Sequence, residues 1–486
     1  MTQSLSKKKG IFYVHVLITL LFMFGFGYLP AVDPITPVGM KMLGIFIGLV
    51  YAWSTTSLLW PSFLGMVAIA SSGVMSMTEF AKLSFGNETV VFIILVTAFA
   101  TALNKAGLVK FLSSWIISRK VVEGRPWLFT LFILLGAFLG GMFVNCLASV
   151  IFFWSILYSV CKEFGMKPYE KYPSLMILGI VFSSMTAGLT VFPFRLTALI
   201  VLGALQSVAQ ISIPFAQFIV YTFPMGLLLI LTYFLTMRYV FRCDLTCMKD
   251  ISVNFIDKND LILNKNQKFA IFLTALMIIL LISIDLFKLF LPEFFLTKLL
   301  AQWGIIGVML VVTSIALLVS VDGKPFMDFK EAMAGVDWEM TYLFAIILPF
   351  STILTSDATG IKTFLVQVLS PLFMGESFLF FAFIVLLLGT LLTNVANNAV
   401  LLVIFINICC PICESMGISP IPLVMCMLWC FQLAYMTPAA SAPAAFVFGN
   451  TDWIKPTMMY KYIAITLVIL FVVAFGIGLP FATVVF

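Results

Sequence analysis

Residues 386–410, LLLGTLLTNVANNAVLLVIFINICC, place the tightest constraint on the fold. Thr393-Asn394-Val395 and then Asn397-Asn398 interrupt the apolar run at its middle. An amide facing lipid without a partner is penalised by several kcal/mol. These three amides therefore require a bound ion, a bound substrate or other protein. Each apolar half reads as about ten residues, short of the roughly twenty of a relaxed crossing. A re-entrant hairpin with a polar tip at membrane depth meets these demands, provided that protein or a watery cavity covers its backbone. So does an ordinary spanning helix whose polar face packs on its neighbours.

The rest of the composition narrows the class. The 486 residues are 62% hydrophobic and 10% charged, more apolar than a soluble core requires and suited to a bundle of spanning helices. Residues 11–29, behind Lys7-Lys8-Lys9, lack a small-x-small cleavage pattern and read as a first spanning helix with its amino end inside. The net charge of +6 is scattered over loops, as expected of cytoplasmic loops rich in Lys and Arg, and provides no nucleic-acid groove. Of the nine cysteines, Cys146, Cys409, Cys410, Cys426 and Cys430 lie in apolar runs. Cys243 and Cys247 have no matching second pair, and His15 is the sole histidine, which argues against zinc.

Along the chain, 1–37 reads as an N-terminal helix and loop and 38–237 as a first membrane repeat. A connector at 238–268, with six Lys or Arg and four Asp, precedes a second repeat at 269–486. The two repeats share features in order. Residues 80–103 and 329–354 each give a short polar helix, a glycine, an acidic residue and a span. The long run 127–160, broken at Gly140-Gly141 and Asn145, matches the one holding Asn394. The interruption at 186–203, with Pro193 and Arg195, matches 434–449. Asn145 to Gly203 is 58 residues and Asn394 to Gly449 is 55. Paired interrupted segments in two halves point to a secondary transporter with a central site, and they favour the hairpin at Asn394. An odd number of passes per half would make the repeats inverted. The expected fold is an all-α polytopic membrane protein of two inverted repeats, each with a re-entrant hairpin and a discontinuous helix, and about 11 spanning helices.

LLTNVANNAVLL (391–402), followed by YMTPAASAPAAFVFG (435–449), resembles the second half of the divalent anion/sodium symporter family, the dicarboxylate and citrate carriers of the ion transporter superfamily. The resemblance implies a homodimer that moves a small carboxylate anion by an elevator-like displacement. It also implies a substrate site at Asn145, Thr190, Thr393, Asn394, Thr437 and Pro438, to which Arg195, gained where the family pattern has no arginine, adds a cation. Sodium, the one candidate coupling ion, would sit at Thr393, Asn394 and Val395, with a degraded first site at Asn145. There the flanking Val144 and Cys146 supply no oxygen side chain.

Several residues admit two roles. Arg195 is a permanent cation in an interior position, where leaving it unpaired costs at least about 2.5 kcal/mol. A carboxylate would satisfy it through two parallel hydrogen bonds, or it snorkels to an interface. Ser183, Ser184 and Thr186, with Asn397 and Asn398, either line the cavity or bond within the protein. Glu88 and Asp337 read as helix caps. With no Ser/Lys pair, His-x-x-x-His motif or aspartate cluster at a reactive depth, the chain does not read as an enzyme. The leading reading is secondary transport of a di- or tricarboxylate in the cell (plasma or inner) membrane, amino terminus cytoplasmic, by sodium symport or anion exchange. An inorganic-oxyanion carrier or a channel is the alternative.

Overall fold

The backbone of a chain this apolar can be satisfied in lipid only by helices or a closed barrel. The computed structural model describes residues 2–107, 111, 123–143, 146–190, 196–248, 262–373, 377–438 and 440–486. Among these it is helical, with one two-stranded ladder, Ser320–Val321 against Lys324–Pro325. Nine of the described helical segments are long and apolar enough to cross a membrane, and six shorter apolar helices accompany them. The chain is a multi-pass membrane protein.

After α1 (Thr2–Leu20), the first half holds α2 (Pro37–Thr55), α3 (Leu59–Ser71), α4 (Met77–Phe85), α5 (Glu88–Lys105), α6 (Pro126–Phe143), α7 (Cys146–Glu163), α8 (Lys171–Ala187), α9 (Leu196–Ala209) and α10 (Phe215–Leu235). The second half holds α11 (Lys265–Phe290), α12 (Phe295–Leu318), α13 (Phe329–Ala334), α14 (Trp338–Leu354), α15 (Ile361–Phe373), α16 (Phe378–Leu392), α17 (Asn398–Ser415), α18 (Ile421–Cys430), α19 (Ala442–Gly449), α20 (Pro456–Val473) and α21 (Leu479–Val485). The two halves run in a similar order: two apolar helices, both long in the second half and the second of them 13 residues in the first, then a short helix, a span, a helix pair, a broken helix and a closing span, with α15 added before the second pair. With each pair returning to its own side and each broken helix crossing once, each half makes five passages. With α1 they make eleven, and an odd number per half inverts the second relative to the first.

Local chemistry sets the ends of the repeated elements. Ser76 and Glu79 form a capping box at the start of α4, and the two hydrogen bonds from Ser76 hold the Glu79 carboxyl below the usual range. Asp337 caps α14 by accepting from the Met340 N–H at 3.0 Å. Glu88 does not cap α5. Its neighbour Asn87 does, accepting from the Thr89 N–H at 2.9 Å, because the shorter side chain reaches its own backbone two residues on.

The halves interlock reciprocally. The short helix of each packs on the long helix of the other, α4 on α14 and α13 on α5, with a Lys105–Glu331 ion pair tying the second contact. Likewise α9 packs on α17, and α19 packs on α8. The core therefore runs through both halves without a seam.

Candidate functional site

The first arm of each helix pair approaches the broken helix of its own half closely at one glycine. A Cβ on Gly141 of α6 would lie 2.5 Å from the Ser184 carbonyl oxygen of α8. A Cβ on Gly389 of α16 would lie 1.8 Å from the Phe431 ring, just past the end of α18. In both halves the first arm of the pair thus meets its broken helix through a missing side chain, four or five residues before the tip asparagine. The arms of the second pair are 15 and 18 residues, not about ten. The helix carries on through Asn407, whose amide donates to its own Val403 carbonyl at 2.8 Å and to Ser351 Oγ at 3.0 Å.

At the second tip the demand for partners is met by protein. Thr393 is buried and donates from Oγ1 to the Phe431 carbonyl at 2.7 Å. Asn394 Nδ2 donates to the Thr390 carbonyl at 2.7 Å and the Leu433 carbonyl at 3.3 Å. Its Oδ1 accepts from the Tyr435 and Met436 N–H groups at 2.9 and 2.7 Å. Thr437 Oγ1 closes the set by donating to the Asn394 carbonyl at 2.6 Å. Apart from Thr390, on α16 itself, the partners lie on 431–437, where α18 has ended and α19 has not begun. Backbone groups freed by the break are thus satisfied by the tip, as buried polar groups require.

The tip meets the broken helix between its ten-residue and eight-residue pieces, partway through its passage. Thr393 and Thr437 each use the hydroxyl proton on a carbonyl and keep oxygen lone pairs for a ligand. Asn394 Oδ1 already accepts two bonds. Val395 is 68% exposed at the point of the tip, and Pro438 is exposed beside half-buried Thr437.

Asn397 is the N-cap of α17, accepting from the Ala399 and Val400 N–H groups at 2.9 and 3.3 Å. Asn398 Nδ2 donates to Gln432 Oε1 at 3.2 Å. Gln432 was not marked by the sequence pattern, and its buried Nε2 has no partner among the described residues. The signal for it was present: it is the one side-chain amide between Ile421 and Gly449.

In the first half, Val144, Asn145, Pro193 and Arg195 lie outside the described residues. Around them, Ser184 Oγ donates to the Ala137 carbonyl at 3.1 Å and lies 3.3 Å from Ser149 Oγ, joining α6, α7 and α8. Ser183 is buried and its hydroxyl has no partner among the described residues. Thr186 is also buried. Thr190 is buried at the turn that ends α8, its hydroxyl donating to the Ala187 carbonyl at 2.7 Å while its own carbonyl accepts from Thr222 at 2.8 Å. The hairpin arms and broken helices carry charges at their ends, Lys162, Glu163, Lys171 and Glu414; between those ends, through 126–161, 172–209, 377–413 and 421–451, the sequence holds one charged residue, Arg195.

Comparison with known proteins agrees with this architecture. A protein-family model described as citrate transporter matches residues 45–402. Solute carrier family 13 member 1 from Homo sapiens is 25% identical over 158 residues, 32% of this chain and 26% of that protein. The Mus musculus protein of the same name is 26% identical over 137 residues, 28% and 23% of the two chains. The match spans about a quarter of the length of these curated relatives. The crystal structure of the Alcanivorax borkumensis YdaH transporter, described as having an unusual topology, aligns with a TM-score of 0.56. It is 13% identical over 95% of this chain and 97% of that one, a likeness of fold.

Proposed function

This chain belongs to the citrate transporter family, a family of transporters and not of enzymes, and from that premise we propose that it carries a small di- or tricarboxylate by alternating access. The observation that carries the reading is the union of hairpin tip and helix break, Thr393-Asn394 with 431–437. Two polar interruptions that would each be expensive alone are joined, leaving the Thr393 and Thr437 oxygens and the Asn398–Gln432 amide pair beside them. Arg195, the one charge away from the helix ends of these elements, is the cation available to neutralise a carboxylate. Asn145, Thr190 and Pro438 complete the proposed substrate set. If sodium is cotransported, the Thr393 and Thr437 hydroxyl oxygens are better ligands than Asn394 Oδ1, since the latter has no lone pair left.

An elevator-like displacement is supported by how the elements group. The reciprocal contacts α9 on α17 and α19 on α8 join both hairpins and both breaks into one body. Between α9 and α10 of that body and α5, α11 and α12 lies a cleft of about 980 Å³, lined by Gln206 and Gln217 on one side and Glu88, Asp285 and Lys288 on the other. The Ala216 N–H donates across it to Asp285 Oδ2 at 2.9 Å, and Thr352 Oγ1 of α14 donates to the Ser207 carbonyl of α9 at 3.1 Å. The cleft leaves room for the body to shift against these helices. We also propose a homodimer in the plasma or inner membrane with the amino terminus cytoplasmic.

Uptake into proteoliposomes loaded with succinate, malate, citrate or nothing, with and without a sodium gradient, tests the function. Saturable carboxylate uptake is expected. Dependence on internal anion marks exchange, and gradient-driven uptake into empty vesicles marks symport. Absence of saturable carboxylate uptake in every condition overturns the reading. Arg195→Gln is expected to lower affinity by tenfold or more. An unchanged affinity and ion dependence would remove Arg195 from the site.

A further inference from the structure

A second cleft, of about 510 Å³, opens between the start of α6 and the end of α10. Arg125 and Arg238 stand at its rim, and Trp127, Leu128, Leu131 and Phe234 make its floor. The Arg238 guanidinium lies 5.5 Å from the centres of both the Trp127 and Tyr239 rings. Trp127 in turn packs edge-to-face on Phe234 at 5.7 Å. Among the described residues neither arginine forms an ion pair, and Glu123, two residues before Arg125, forms none either. A guanidinium near an aromatic face is attracted by the ring and still has N–H donors to give to an anion. Among the described residues the cleft thus offers two cations without an ion-pair partner beside an apolar lining.

That pairing selects a ligand with an anionic head and an apolar body. Both helices enter their apolar stretches at this level, and a tryptophan beside arginines is the composition of the membrane–water boundary. We propose that this cleft binds an anionic glycerophospholipid, its phosphate between Arg125 and Arg238 and an acyl chain along Leu128, Leu131 and Phe234. The site is independent of the anion the protein carries. Because α6 is an arm of the first hairpin, the lipid would bear on an element of the transport site.

The test uses the purified full chain in mild detergent with phosphatidylglycerol or phosphatidylcholine, retained lipid being counted by native mass spectrometry. Phosphatidylglycerol is expected to be retained after phosphatidylcholine is stripped, and 10 mM inorganic phosphate, a concentration of about that order, is expected not to displace it. Two arginines at about 1 kcal/mol each predict roughly thirtyfold weaker binding for Arg125→Gln/Arg238→Gln. The single exchange Arg125→Gln predicts about fivefold by the same measure, and serves if the double variant does not fold. Equal retention of the two lipids, or unchanged retention in these variants, overturns the proposal. So does displacement by inorganic phosphate, which would make this a free-anion site, or by a polyglutamate peptide, which would make it a docking point for an acidic segment.

Discussion

Replacing Asn394 by alanine should destabilise the protein as well as stop transport. The exchange removes the acceptor of two backbone N–H groups, at Tyr435 and Met436, and the donor to the Leu433 carbonyl. A buried donor deprived of its partner costs about 1–3 kcal/mol. Water recovers part of this at half-buried Met436, so a total of about 2–4 kcal/mol is expected. Thr393→Val, which removes one donated bond and leaves a carbonyl, should cost about 1 kcal/mol. Unfolding can be followed with a thiol-reactive dye, because eight of the nine cysteines are buried and react only on opening. The expected result is a midpoint lower by several degrees for Asn394→Ala, in the presence and absence of carboxylate, and a smaller drop for Thr393→Val. If Asn394→Ala melts like the wild type and loses only the stabilisation given by substrate, the amide belongs to the ligand and the clasp reasoning is refuted.

The glycine contacts separate two kinds of crowding. Gly389→Ala drives a Cβ into the Phe431 ring, which should lower transport at least tenfold and be partly rescued by Phe431→Leu. Gly141→Ala meets Ser184 backbone, so no side-chain exchange at 184 should rescue it; transport assays of the single and double variants decide both. For topology, Cys247 is the one exposed cysteine, while burial pushes the nearby Cys243 thiol up to about 11, leaving it protonated near neutral pH. A membrane-impermeant maleimide at pH 7.5 should therefore modify Cys247 alone, in inside-out vesicles and not in intact cells. Labelling in intact cells would reverse the proposed orientation.

Much of this arrangement is legible in the sequence because lipid penalises polar groups so heavily. Thr393-Asn394 and Thr437 stand out only against an apolar background, and the structure joins those two interruptions. The pattern of short helix, glycine and span likewise reappears as α4–α5 and α13–α14. What escaped was chemistry that leaves no polar trace. Gly389 looks like one more small residue among leucines until Phe431 is seen to fill the space above it. Asn397 and Asn398 are adjacent amides with separate duties, a cap and a link to Gln432, which depend on where the helix restarts. The arms exceed the apolar halves of 386–410 because α16 already begins at Phe378 and α17 runs on through Asn407, whose amide bonds to Val403 of its own helix and to Ser351 of α14.

The reciprocal packing of the halves also bears on how the protein is made. The Thr36 hydroxyl donates to the Ala358 carbonyl, 322 positions away, and Gln217 donates to the carbonyl of Val485, 268 positions on. Some partners of α4, α5, α8 and α9, namely α14, α13, α19 and α17, lie beyond the connector, so a nascent chain that has delivered only its first half holds those faces uncovered. The early helices must wait in the bilayer for the late ones, exposing small and polar faces in the meantime. The slow stage of assembly is therefore expected to be the docking of the two halves, after synthesis has ended and not during it.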